Sequence, residues 1–124
     1  MNRRTFLTIA ALLALGYAAG LILIPAIINR TYGLGESDSE ILLSRFFGVE
    51  LLALGLITWL AKDLTGVSAG PIITGSLIGN AVGAIVAILG TLSGVMNAAG
   101  WSAVVIYVFL TLGFAYFQFM APMK

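Results

Sequence analysis

Four long apolar stretches, at 5–28, 41–61, 71–92 and 101–120, alternate with short polar or glycine-rich ones along the chain. Each is close to the roughly 20 residues that carry an α-helix across a bilayer. The short connections between them imply antiparallel neighbours. The pattern therefore predicts an all-α fold, an integral membrane four-helix antiparallel bundle, with 1–124 forming a single transmembrane domain. The first stretch follows Met1-Asn2-Arg3-Arg4 and stays uncharged over 5–28. That is longer than the about 7–15 residues of a signal-peptide core, so it is read as helix one and not as a cleaved leader.

Local chemistry marks the predicted boundaries. Pro25 lies in the last turns of helix one, where its missing N–H kinks or ends the helix. Ser37-Asp38-Ser39-Glu40 fits a capping box, with Ser37 as N-cap and Glu40 reaching back. Trp59 and Lys62 form an interfacial anchor at the end of helix two, and Gly66 is a stop. Gly70-Pro71 puts proline at the first position of helix three, and Asn97 is placed to cap helix four.

Composition turns the helical reading into a membrane one. The chain is 60% hydrophobic and 9% charged, with a mean hydropathy of +1.10. Soluble domains are about 45–50% apolar and about 25% charged. Lipid, acting as solvent for the outside of the helices, accommodates what water would not. The net charge of +1 gives no footprint for nucleic acid. With no cysteine and no histidine, disulfides, thiol nucleophiles, His-ligated haem and His/Cys zinc sites are excluded. Ser44, Ser68, Ser76, Ser93 and Ser102 have no general base, so no enzyme and no cofactor is expected. With the N-terminus inside, Arg3, Arg4, Lys62 and Lys124 face the cytoplasm, while Arg30 and Arg45 lie at the opposite face. The bias of basic residues thus places both termini in the cytoplasm.

Two patterns inside the helices bear on packing and function. Gly75, Gly79 and Gly83 recur at four-residue steps in helix three, and Gly16 and Gly20 repeat the device in helix one. Small residues at this spacing let backbones approach closely, so contact between helices one and three, or dimerisation through helix three, is expected. Helical rise places Glu50 roughly 13 Å into helix two, near mid-membrane. Tyr17, Asn80, Tyr107 and Thr111 fall near the same depth, so each helix supplies a polar group to one layer. Such groups commonly serve as interhelical hydrogen-bond glue, worth about 0.6 kcal/mol each. A carboxylate at that depth costs about 2.5–3.5 kcal/mol and marks an ion path or a ligand contact as the alternatives. Arg45 is five residues from Glu50 and points about 140° away, a poor geometry for pairing.

Arg45-Phe46-Phe47-Gly48 opening helix two, Trp59-Leu60-Ala61 closing it, and the segment from Ser93 to Trp101 resemble a family of small, uncharacterised four-helix bacterial membrane proteins, loosely DoxX-like. The resemblance implies a prokaryotic inner-membrane location and no established activity. Glu50 departs from it, since a small apolar residue is expected there. The function expected from the sequence is a structural or accessory subunit, packed by helix contacts into a larger membrane complex or a homo-oligomer. A small proton or ion transporter built around Glu50, and a lipid- or quinone-binding protein, are the alternatives. Membrane lipids are the remaining partners expected, and nucleic acid is not one.

Overall fold

A computed structural model describes residues 1–121, all in helices, turns and connections with no strand among them. Lys124, counted above for orientation, lies outside the described residues. Helix α1 spans Arg3–Leu23 and begins two residues before the predicted stretch because Asn2 caps it, its side chain accepting from the Thr5 N–H at 2.8 Å. The helix stops at Ile24, which leaves helical geometry with φ −133° and ψ 51°. The cause is Pro25, which has no N–H to donate and disfavours the α conformation of the residue before it. A second, short helix, α2, then runs over Pro25–Thr31, so the first apolar stretch makes two helices and not one.

The chain turns back at this break. Ile28 of α2 lies over Gly20 of α1, where an added Cβ would sit 3.1 Å from its terminal methyl. Tyr32, just past α2, meets Tyr17 of α1, with hydroxyls 2.7 Å apart. Gly33 ends the corner in a left-handed conformation (φ 74°) that an L side chain rarely adopts. Asn29 holds the corner from inside. Nearly fully buried, it donates to the Gly35 carbonyl at 3.0 Å and accepts from the Ser44 hydroxyl at 3.0 Å.

Helix α3 covers Asp38–Ala61, opened by the Ser37/Glu40 capping box with both reciprocal bonds formed. It packs along α1 through two glycines seven residues apart. At Gly48 an added Cβ would lie 2.9 Å from side-chain carbons of Leu21 and Ile22, and at Gly55 2.8 Å from Leu15. A 3₁₀ turn at Gly66–Ala69 leads into α4, Gly70–Leu92, with Pro71 in its first turn where a missing N–H costs nothing. Asn97 precedes α5 without serving as its N-cap. Its side chain accepts from the Ala99 N–H, and α5 then runs over Gly100–Ala115. The last turn widens into a π-helical one at Tyr116–Met120.

The helices form two pairs, α1 against α3 and α4 against α5. Each pair is tight, but the pairs meet mainly at their ends. At the end bearing Arg3 and Arg4, Phe6, Leu7 and Ala10 of α1 pack with Ile73 of α4 and with Leu110, Phe114 and Phe117 of the last helix. The Phe6 ring meets Phe114 edge-on at 4.9 Å between centroids and covers Gly113. Polar ties surround this plug: Arg3 donates to the Leu64 carbonyl at 2.6 Å, and Arg4 and Lys62 both bond Asp63. Lys62 also lies 4.2 Å over the Trp59 ring. At the opposite end the α4–α5 connection docks on the α2 corner. There Asn97 donates its backbone N–H to Tyr32 and its side-chain amide to Thr31.

Four of these helical segments, Arg3–Leu23, Asp38–Ala61, Gly66–Leu92 and Gly100–Met120, are long and apolar enough to cross a membrane. Their outward faces carry large exposed apolar side chains such as Leu43, Phe46, Leu60, Ile85, Leu89 and Leu112.

Candidate functional site

Between the two closed ends the helix pairs separate and leave a cleft of about 720 Å³. Its walls come from α1 (Leu13, Tyr17), α3 (Phe47, Leu54), α4 (Gly75, Gly79) and α5 (Ile106, Tyr107), and the α2 corner roofs it with Ile28 and Tyr32. Apart from Leu34, the exposed residues of the cleft lining lie on the long helices α3 and α4, so the cleft opens sideways between them. Phe47, Leu54, Val82 and Val86 are exposed along that opening.

The sequence-predicted polar layer divides on this cleft. Tyr17, Glu50, Asn80 and Tyr107 all lie on its wall. Thr111 does not, and its hydroxyl bonds back to the Tyr107 carbonyl at 2.7 Å, one helical turn away. No hydrogen bond joins the four to one another among the described residues. Tyr17 instead pairs with Tyr32, and the Asn80 amide donates to the Ser76 carbonyl at 2.8 Å. Glu50 is exposed to the cleft, and among the described residues no donor or cation reaches its carboxyl. Arg45 is engaged elsewhere. Its Nε donates at 3.2 Å to the Ile22 carbonyl, one of the acceptors that the break at Ile24 leaves without a helical donor.

The glycines also sort differently from the expectation. Gly16 meets nothing within 4 Å, and Gly20 is covered by Ile28 of the neighbouring short helix, so neither mediates contact with helix α4. Gly75 and Gly79 face the cleft with open space where a Cβ would be. Gly83 is the exception, since the Tyr107 ring lies against it and leaves no room for a side chain. The close contacts of α1 with α3 are made by Gly48 and Gly55, whose seven-residue spacing in α3 is the signal that would have located them.

Five further polar residues line the cleft beside the predicted layer: Asn29, Tyr32, Ser44, Thr58 and Ser76. Tyr32 and Asn29 reach it because α2 folds back, Ser44 donates to Asn29, and the Thr58 hydroxyl bonds back to the Leu54 carbonyl. Outside the helices, Asp63 has its carboxyl held below the usual carboxylate range by hydrogen bonds from Lys62 and then Arg4. Arg30 does the same to Glu36 across the α2 corner. No group of three or more acidic residues, histidines or cysteines converges on a metal site among the described residues. No protein-family model, no curated protein and no solved structure matches the chain.

Proposed function

We propose that the chain is a multi-pass membrane protein that holds one amphiphilic small molecule in the cleft between its two helix pairs. The observation that carries this reading is the cleft itself. Its volume of about 720 Å³ falls within the roughly 300–1,000 Å³ of small-molecule sites, mostly apolar with a few polar groups. A transmembrane partner helix needs about 20 residues and far more room, so a small molecule fits the space better than a helix does. The opening between α3 and α4 lies along helices that would be embedded, giving an amphiphile entry from the lipid. Membership of the ligand in the lipid or quinone classes is compatible with such a site.

The membrane part of the proposal includes a prokaryotic inner-membrane location with both termini in the cytoplasm. Arg3, Arg4 and Lys62 gathering at one end, against Arg30 and Arg45 at the other, support that orientation. A second reading, an accessory subunit of a larger assembly, is favoured by one observation. The outer face of α3 presents Leu42, Leu43, Phe46, Leu56, Ile57 and Leu60 to the outside.

Native mass spectrometry of protein extracted gently from its own membrane separates the two. The cleft reading predicts a single small molecule retained per chain, and its loss when Gly79→Trp fills the cleft. Stoichiometric binding to other, larger polypeptides with no retained small molecule would favour the accessory reading instead.

A further inference from the structure

We propose that the ligand of the cleft is a lipophilic organic cation, with the Glu50 carboxylate as its counter-ion and tyrosine rings as its walls. This rests on the reading of the cleft as a small-molecule site and adds the charge class of what enters it.

Charge complementarity carries the inference. Among the described residues, Glu50 is the only Asp, Glu, Lys or Arg on the cleft wall. Arg45, the nearest basic residue along α3, donates its Nε–H to the Ile22 carbonyl and is not part of the cleft wall. Lys62, Arg3 and Arg4 lie beyond the Phe6 plug, bonded to Asp63 and to the carbonyls of the 62–66 connection. A carboxylate in an apolar surrounding is stabilised most by a positive charge brought to it, and the cleft wall supplies none. An anionic amphiphile would bring a second acidic group beside Glu50 with no cation on the wall to compensate, which disfavours a fatty acid or a phospholipid phosphate.

The remaining wall chemistry favours a soft, weakly hydrated cation. Tyr17, Tyr32 and Tyr107 line one end of the cleft and Phe47 adds a further ring, the side-chain type that binds quaternary ammonium groups through the ring face. Asn80, also on the wall, donates its amide to the Ser76 carbonyl, and its side-chain oxygen accepts no hydrogen bond among the described residues. Gly75 and Gly79 leave bare backbone opposite α3, so a bulky head group can lie flat against α4. Entry is sideways between α3 and α4, the route open to a cation already partitioned into lipid.

The test uses the full-length chain in lipid nanodiscs and three probes of one shape: tetraphenylphosphonium, tetraphenylborate and neutral tetraphenylsilane. Binding is measured by equilibrium dialysis against empty nanodiscs to remove lipid partitioning. The expected result is saturable binding of one tetraphenylphosphonium per chain, with tetraphenylborate at least about tenfold weaker. Glu50→Gln, nearly the same size, is expected to lower the phosphonium affinity about tenfold or more and Glu50→Asp to restore part of it. Unchanged phosphonium affinity in Glu50→Gln overturns the counter-ion role. Saturable binding of the silane or borate without the phosphonium overturns the charge class and leaves the cleft reading standing. No saturable binding of any probe, in protein that keeps its helical circular dichroism, overturns both.

Discussion

Replacing Gly48 by alanine places a Cβ 2.9 Å from carbons of Leu21 and Ile22 and 3.2 Å from the Ala18 carbonyl oxygen. The Leu21 atom is itself a Cβ and the Ala18 atom is backbone, so neither can rotate away. Carbon contacts are optimal near about 3.5–4.0 Å, and α1 and α3 must therefore part by roughly 0.6 Å or more. Overpacking of this kind costs about 1–3 kcal/mol. Alanine also favours helix over glycine by about 0.8–1.0 kcal/mol, which masks part of the cost in a single measurement. Gly79→Ala removes the ambiguity, because it gives the same gain within a long helix and adds a Cβ that meets nothing within 4 Å. The difference between the two variants isolates the packing term, and Gly48→Ala is expected to be the less stable by about 1–3 kcal/mol. Reversible unfolding in mixed micelles, followed by tryptophan fluorescence of Trp59 and Trp101, measures both. Equal stabilities, or Gly79→Ala as the weaker protein, would refute the pairing of α1 with α3 and move the close contact to the glycine face of α4.

Other positions give independent checks. Asn29→Ala removes two hydrogen bonds of a buried side chain and is expected to cost about 1–3 kcal/mol in the same unfolding assay. Arg45→Met leaves the Ile22 carbonyl without its side-chain donor, and hydrogen exchange at 24–29 is expected to quicken while that at 50–58 stays unchanged. Asp63 has a carboxyl depressed by its bonds to Lys62 and Arg4, so its ties contribute fully above the ordinary carboxylate range of about pH 4 and are lost as pH falls through the depressed value. Amide protection across 62–66 should accordingly hold from pH 7 down to about pH 5 and fall only in stronger acid, whereas Asp63→Asn should show no such loss.

The chain's helices are legible in its sequence because their determinants are local. Runs of roughly 20 apolar residues allow little besides a helix in lipid, and the Ser37/Glu40 box is a contact between residues three apart. The back-folding of α2 is not legible in this way. Ala26, Ile27 and Ile28 read as the end of helix one whether the chain continues straight or turns after Pro25. Partner choice is hidden for a related reason. In water a helix shows its buried face by its apolar stripe, but here every face is apolar, and only small residues discriminate among neighbours. The four-step glycines of α4 draw the eye, yet two of them border open space, while Gly48 and Gly55 make the contact. Depth is more readable than direction. A rise of about 1.5 Å per residue brings Tyr17, Glu50, Asn80 and Tyr107 to one region, but it does not reveal that Thr111 turns its hydroxyl to its own helix.

The claim on which the account depends is that four embedded helices enclose a cleft reached from the lipid past the glycine face of α4. The chain has no cysteine, so single nitroxide labels can be placed without background at position 82, where Val82 is exposed at the cleft's opening, and at Ile85, exposed on the same helix away from it. Collision rates with oxygen, which concentrates in the hydrocarbon, and with a water-soluble nickel chelate are then measured in lipid vesicles. Both labels should collide with oxygen and be shielded from nickel, and only the label at 82 should lose oxygen contact when an amphiphile saturates the protein. A label at 82 already immobile and shielded from oxygen without any ligand, or a label at 85 open to nickel, would contradict the account.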